Sequence, residues 1–131
     1  MIVIETPHHN VVIDNIDQVI SMGGPWTGDL KIDNKLISTG CIVDNVLYDP
    51  DYSRLIFVRY HNIGKWRKDN YFTLNIVDLK SKKQYESIMH FDMVFITHIT
   101  ADYVEIVNAF HGEDLSTKRN YEIDGGFISI T

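Results

Sequence analysis

The side chains that could do chemistry on this chain are six histidines, one cysteine and 18 carboxylates. The histidines are His8, His9, His61, His90, His98 and His111. Zinc sites gather His and Cys at short fixed spacings, or set two His one helical turn apart, and neither pattern occurs. The nearest constellation is His90-Phe91-Asp92, whose two polar side chains can share a strand face, with His98 on a neighbouring strand. Three such groups could ligate a metal or act as acid and base. Hydrogen-bonded or solvated histidines on a half-exposed sheet are the plainer reading, with His8-His9 in a surface loop, and no metal or cofactor is expected. Cys41 sits in the apolar run Gly40-Cys41-Ile42-Val43 and reads as a small core hydrophobe, since burial raises rather than lowers a thiol pKa. No Gly-x-Ser-x-Gly elbow is present. Residues 23–28, Gly-Gly-Pro-Trp-Thr-Gly, lack the Gly-Lys-Ser/Thr that a phosphate loop needs before its helix. The acids offer too many pairs for a glycosidase assignment.

Two stretches suit protein binding better than catalysis. In residues 44–52 three acids, Asp44, Asp49 and Asp51, alternate with Tyr48 and Tyr52 in what reads as a turn region. Charge there could steer a basic partner and the phenol rings could anchor it, although Asp49 and Asp51 could equally satisfy backbone groups beside Pro50. Residues 61–70 hold Lys65, Trp66 and Arg67 in a loop longer than a tight hairpin needs. An exposed Trp beside Arg is the composition of a binding hot spot, whereas a Trp66 folded back on the sheet would leave only solvated cations.

The elements that position these groups are strands. Turn residues recur every 8–12 positions or so, with short apolar segments between them, which is the pattern of an antiparallel meander, sandwich or barrel. Ser53-Arg54-Leu55-Ile56-Phe57-Val58-Arg59-Tyr60 reads as a strand buried on both faces. Residues 71–79 alternate, with Phe72, Leu74 and Ile76 inward and Tyr71, Thr73 and Asn75 outward. Lys80-Ser81-Lys82-Lys83 joins that strand to Gln84-Tyr85-Glu86-Ser87-Ile88 as a hairpin, and Thr100-Ala101-Asp102 joins residues 93–99 to 103–107. The last of these segments also has helical spacing at Tyr103, Val104, Val107 and Phe110; the Val and Ile content favours strand. Gly125-Gly126 predicts a final hairpin. Residues 2–4, 11–13, 19–22, 26–32 and 35–43 complete roughly nine to eleven short strands and at most one short helix, in an all-β sandwich or rolled, barrel-like domain.

Length and composition agree with one such domain spanning residues 1–131, at 44% hydrophobic and 23% charged residues. A net charge of -6 opposes nucleic-acid binding, which needs clustered cations, and favours a basic protein partner. A lone cysteine fits a reducing, cytoplasmic setting. The first residues show neither a basic segment nor an apolar run of signal-peptide type, and no stretch approaches the ~20 apolar residues of a membrane span.

In size, acidity, β character, lack of a catalytic motif and its Tyr/Asp-rich stretch the chain resembles the small acidic immunity proteins of bacterial toxin-immunity pairs. That resemblance implies a protein that covers the active site of a basic, nuclease-type toxin, with Asp44, Tyr48, Asp49, Asp51 and Tyr52 as one candidate surface and Lys65, Trp66 and Arg67 as another. The alternative is a small-ligand binder, with Tyr60, Tyr71 and Phe95 around a cavity and His90, Asp92 or His98 as polar groups, even as a minor enzyme.

Overall fold

Strands β5 (Arg54–His61) and β6 (Tyr71–Asp78) pair antiparallel over their whole length, from Arg54 opposite Asp78 to His61 opposite Tyr71. Alternation along β5 sends Ile56 and Val58 into one apolar cluster and Leu55 and Phe57 into another, so both faces of the strand are buried. The computed structural model, which describes residues 1–18, 25–63, 70–109 and 115–130, builds the rest of the fold around this pair.

On one side of the pair lies β4 (Lys35–Asp49), then β3 (Trp26–Ile32), β2 (Val11–Gln18) and β1 (Ile2–Ile4); on the other lies β7 (Gln84–Ser87). Beyond β7, β11 (Phe127–Ser129) completes an eight-stranded antiparallel sheet, ordered β1-β2-β3-β4-β5-β6-β7-β11. β8 (Phe95–Ile99), β9 (Tyr103–Val107) and β10 (Arg119–Glu122) form a three-stranded sheet in the order β10-β9-β8. The first cluster is the seam between the sheets, where Ile56, Val58, Phe72 and Leu74 meet Ile96, Val104 and Ile106. The second joins Val11 and Ile13 of β2 to Val77 of β6 within one sheet. Lys82 of the β6–β7 turn meets Asp33 of the β3–β4 turn at 3.1 Å, so the sheet coils its first strands toward its centre.

Irregular pairing accompanies that coiling: register shifts fall between Asp14 and Asp17 on β2 and between Cys41 and Val46 on β4, and such bulges increase local twist. Gly40 has φ +70°, and a Cβ there would collide with the Tyr60 carbonyl, so the close approach of β4 to β5 beside the Cys41–Arg59 pair requires glycine. The sheet stays open, with β1 and β11 as its edges; it is not a closed barrel. Residues 115–117 make a single 3-10 turn.

Three expectations are corrected. Gly125-Gly126 does reverse the chain, but β10 pairs with β9 and β11 with β7, so the turn links two sheets and makes no hairpin. Thr73 and Asn75 are fully buried, because partners on β7 satisfy their polar groups; β6 is therefore covered on both faces. Residues 44–49 belong to β4, and the turn is confined to residues 50–53. The segment 103–107 is strand and Cys41 is a core residue, both as expected; burial pushes the thiol pKa up. The expected strand at residues 19–22 lies outside the described residues.

One end of the coiled sheet is fastened by Asp33, which with Asn34 forms a two-residue turn at φ 51° and 67°. Its carboxylate accepts the Asn10 amide at 2.9 Å, His9 Nδ1 at 2.9 Å and Lys82 Nζ at 3.1 Å. The His9 bond, then the Asn10 amide and Lys82, hold its pKa far below the usual carboxylate range. A depressed folded-state pKa contributes stability above the ordinary value of about 4 and loses it as pH falls below. Asp33→Asn should therefore flatten the decline in stability between about pH 4 and pH 2, as read from urea midpoints across that range; an unchanged decline would remove Asp33 from the acid response.

Candidate functional site

At the end of the seam between the sheets lies an open cleft of about 950 Å³. Its walls are Tyr52, Tyr85, Tyr103 and Phe127, and four carboxylates line it, Asp78, Asp102, Glu122 and Asp124. The carboxylates come from four places in the chain: the end of β6, the β8–β9 turn, the end of β10 and the turn before β11.

The turn geometry explains why these groups hold their places. Thr100 closes the β8–β9 turn: its Oγ1 accepts the amides of Asp102 at 3.3 Å and Tyr103 at 3.1 Å, and its own amide donates to the Tyr103 carbonyl at 2.9 Å. Arg54 ties that turn to the large sheet, donating from Nη2 to the Thr100 carbonyl at 3.0 Å and from Nε to Asp49 Oδ2 at 2.9 Å. Its guanidinium carbon also sits 4.7 Å from the Tyr52 ring centroid. The Ile123 amide reaches the Asp102 carbonyl at 2.9 Å, which fixes the exit of β10 beside the same turn. Asp78 accepts the amides of Lys80 and Ser81 at 2.9 and 3.0 Å, and these bonds, the Ser81 amide foremost, lower its pKa.

The charges are unbalanced. Among the described residues Arg54 is the one cation in the lining, and Asp49 already neutralises it. Asp102, Glu122 and Asp124 are exposed and take part in no ion pair among the described residues. The cleft thus presents fixed negative charge over aromatic walls, a combination that attracts a cation by Coulomb and cation–π forces together.

Of the residues singled out from sequence, Tyr52 lines this cleft and Asp49 holds Arg54 beside it. Asp51 is exposed on the same turn, with its amide on Asp49 Oδ1. Tyr48 packs against the second apolar cluster, and Asp44 is exposed further back on β4. Lys65, Trp66 and Arg67 lie outside the described residues. His90, Asp92 and His98 form no trio: His90 stacks on Tyr71 with ring centroids 3.9 Å apart, Asp92 is exposed, and His98 pairs across to Glu105. Among the described residues no group of three His, Cys, Asp or Glu could hold a metal. Tyr60 packs on Phe72, Tyr71 lies between His61 and His90, and neither they nor Phe95 line this cleft.

Sequence reading missed a second polar cluster on β5, β6 and β7. Glu86 Oε2 accepts Thr73 Oγ1 at 3.0 Å, contacts His61 Nε2 at 3.1 Å and takes Arg59 Nη1 at 3.4 Å. Asn75 Nδ2 donates to Thr73 Oγ1 at 3.0 Å, and Gln84 Nε2 donates to Asn75 Oδ1 at 3.0 Å. Thr73 and Glu86 both meet His61 at Nε2, at 2.9 and 3.1 Å. A nucleophile relay needs hydroxyl and carboxylate on opposite ring nitrogens, so this arrangement is a hydrogen-bonded network, buried at Thr73 and Asn75 and partly exposed at Arg59, His61 and Glu86. The period-two spacing of Arg59 and His61, and of Thr73 and Asn75, was its only signal in the sequence.

Compared with known proteins, the chain matches no family model, no curated protein and no solved structure.

Proposed function

We propose that this chain is a non-catalytic protein-binding domain that receives a basic surface of its partner in the cleft bounded by Tyr52, Tyr85, Tyr103, Asp102, Glu122 and Asp124. The observation that carries this reading is the set of carboxylates outside any ion pair among the described residues, beside aromatic walls and held by turns that are themselves hydrogen-bonded. Preformed loops lower the ordering cost of association, and the net charge of -6 favours encounter with a cationic partner. Both interior clusters are built of buried apolar side chains, whereas the exposed carboxylates gather at the cleft, which supports an outer binding surface. The finer reading follows the resemblance to immunity proteins: in the bacterial cytoplasm the domain sequesters a basic, nuclease-type toxin by covering its active site.

The test is affinity capture from the native cell with the wild type and with the Asp102→Lys/Asp124→Lys double variant. Both side chains are exposed, so the variant should melt within a few degrees of the wild type. The wild type should retain a stoichiometric basic partner. The variant should bind it about 100-fold more weakly, since close charge pairs at interfaces couple by about 1.5 kcal/mol or more each. A partner held equally by both forms, or none at stoichiometric level, would remove this reading.

A further inference from the structure

We infer that the group the cleft selects is the guanidinium of an arginine side chain on the partner, in preference to a lysine ammonium. The inference rests on the protein-binding reading above and adds the chemistry of its anchor.

The cleft already accommodates one guanidinium, its own. Arg54 lies against the face of Tyr52 at 4.7 Å, while its edge meets the Asp49 carboxylate at 2.9 Å and the Thr100 carbonyl at 3.0 Å. An aromatic ring on the face and acceptors in the plane is the environment that suits a planar, weakly hydrated fork of five donors. The rest of the cleft supplies both parts again. Tyr85 and Tyr103 give aromatic surface, and Asp102, Glu122 and Asp124 give carboxylates outside any ion pair among the described residues.

The acids also stand on separate elements, Asp102 in the β8–β9 turn, Glu122 at the end of β10 and Asp124 in the turn before β11. Each is therefore fixed by its own stretch of backbone, and Glu122 stands directly across the β9–β10 pair from Tyr103. A guanidinium can meet more than one of them while its face stays on a ring. A compact ammonium is strongly hydrated, and at the rim it gains the charge but forgoes the walls. Half the lining is aromatic or aliphatic, which favours the cation that sheds water more readily.

The full chain, labelled with 15N, can be titrated by NMR with three probe peptides: acetyl-Gly-Arg-Gly-Arg-Gly-amide, its lysine counterpart and its citrulline counterpart. Citrulline keeps the planar shape and loses the charge. Shifts should centre on Tyr103, Glu122 and Gly125, with the arginine peptide binding about three- to fivefold more tightly than lysine and at least about tenfold more tightly than citrulline. Tyr103→Leu should narrow the arginine preference toward parity while the effect of salt persists. Equal binding of arginine and lysine peptides, equal binding of citrulline, shifts centred elsewhere, or no binding at millimolar peptide would each overturn the inference. Those outcomes leave the protein-binding reading to its own test, the partner captured with and without the two lysine substitutions. The comparison of peptides uses the wild type, so it stands even if Tyr103→Leu folds poorly.

Discussion

Asn45→Ala should lower stability by about 3 kcal/mol and loosen the three-stranded sheet from the large one. Asn45 is 3% exposed on β4, and its amide pairs with the backbone of Ile96 in both directions, Nδ2 donating to the carbonyl at 3.0 Å and Oδ1 accepting the amide at 2.8 Å. The side chain stands in for a strand partner at the outer edge of β8. Ile96 is 1% exposed, so truncation strands a buried donor and a buried acceptor, at about 1–3 kcal/mol for each group. The cost should fall on one region. Hydrogen exchange should accelerate first at Ile96, Val104 and Ile106, which form the facing half of the seam. Because Tyr103 and Glu122 belong to that sheet, capture of a partner should weaken in the same variant. Denaturant unfolding measures the first effect; a loss under about 1 kcal/mol would mean that water or a neighbour replaces the amide.

Asn45 also marks where reading the sequence stops. It stands inside the stretch that reads as an acidic turn, and its decisive partner lies 51 residues away. What the sequence does disclose is local. The β-branched and aromatic run of β5 and the two-residue turn at Asp33-Asn34 carry their structure in neighbouring residues. So do the closing of Lys80-Ser81 on Asp78 and the Thr100 turn. Pairing between distant segments is not local: Gly125-Gly126 specifies a reversal, but nothing beside it says that β10 and β11 enter different sheets. The cleft has the same character. Asp78, Asp102, Glu122 and Asp124 are unremarkable in their own turns, and only the β8–β9 hairpin lying across the large sheet gathers them into one field. Thr73 and Asn75 read as solvent-facing because polar residues on an alternating strand usually are; the side chains that let them be buried arrive from β7.

That burial leads to the second large effect. Glu86→Ala should cost about 3 kcal/mol, because Glu86 Oε2 is the common acceptor for Thr73, His61 and Arg59, and removing one partner of a buried charged network leaves the others uncompensated. The low end of the range for such losses applies, since Glu86 and Arg59 keep 16% and 26% side-chain exposure and water can reach them. Glu86→Gln should cost less, as it retains an acceptor of similar shape. The pH response separates charge from shape. Burial lowers the His61 pKa, with Glu86 opposing that shift and Arg59 adding to it. A base whose folded pKa is depressed holds its full contribution above the ordinary histidine value of about 6.5 and loses it as pH falls below. Without the Glu86 charge the folded-state pKa drops further, so Glu86→Gln should lose more stability than the wild type as pH falls below about 6.5. Urea midpoints at several pH values measure that difference, and the His61 ring resonances should titrate at lower pH in the variant. Parallel pH profiles for the two proteins would mean that Glu86 acts on His61 through packing alone, and the network would then be a steric plug whose charges play no part in holding β5, β6 and β7 together.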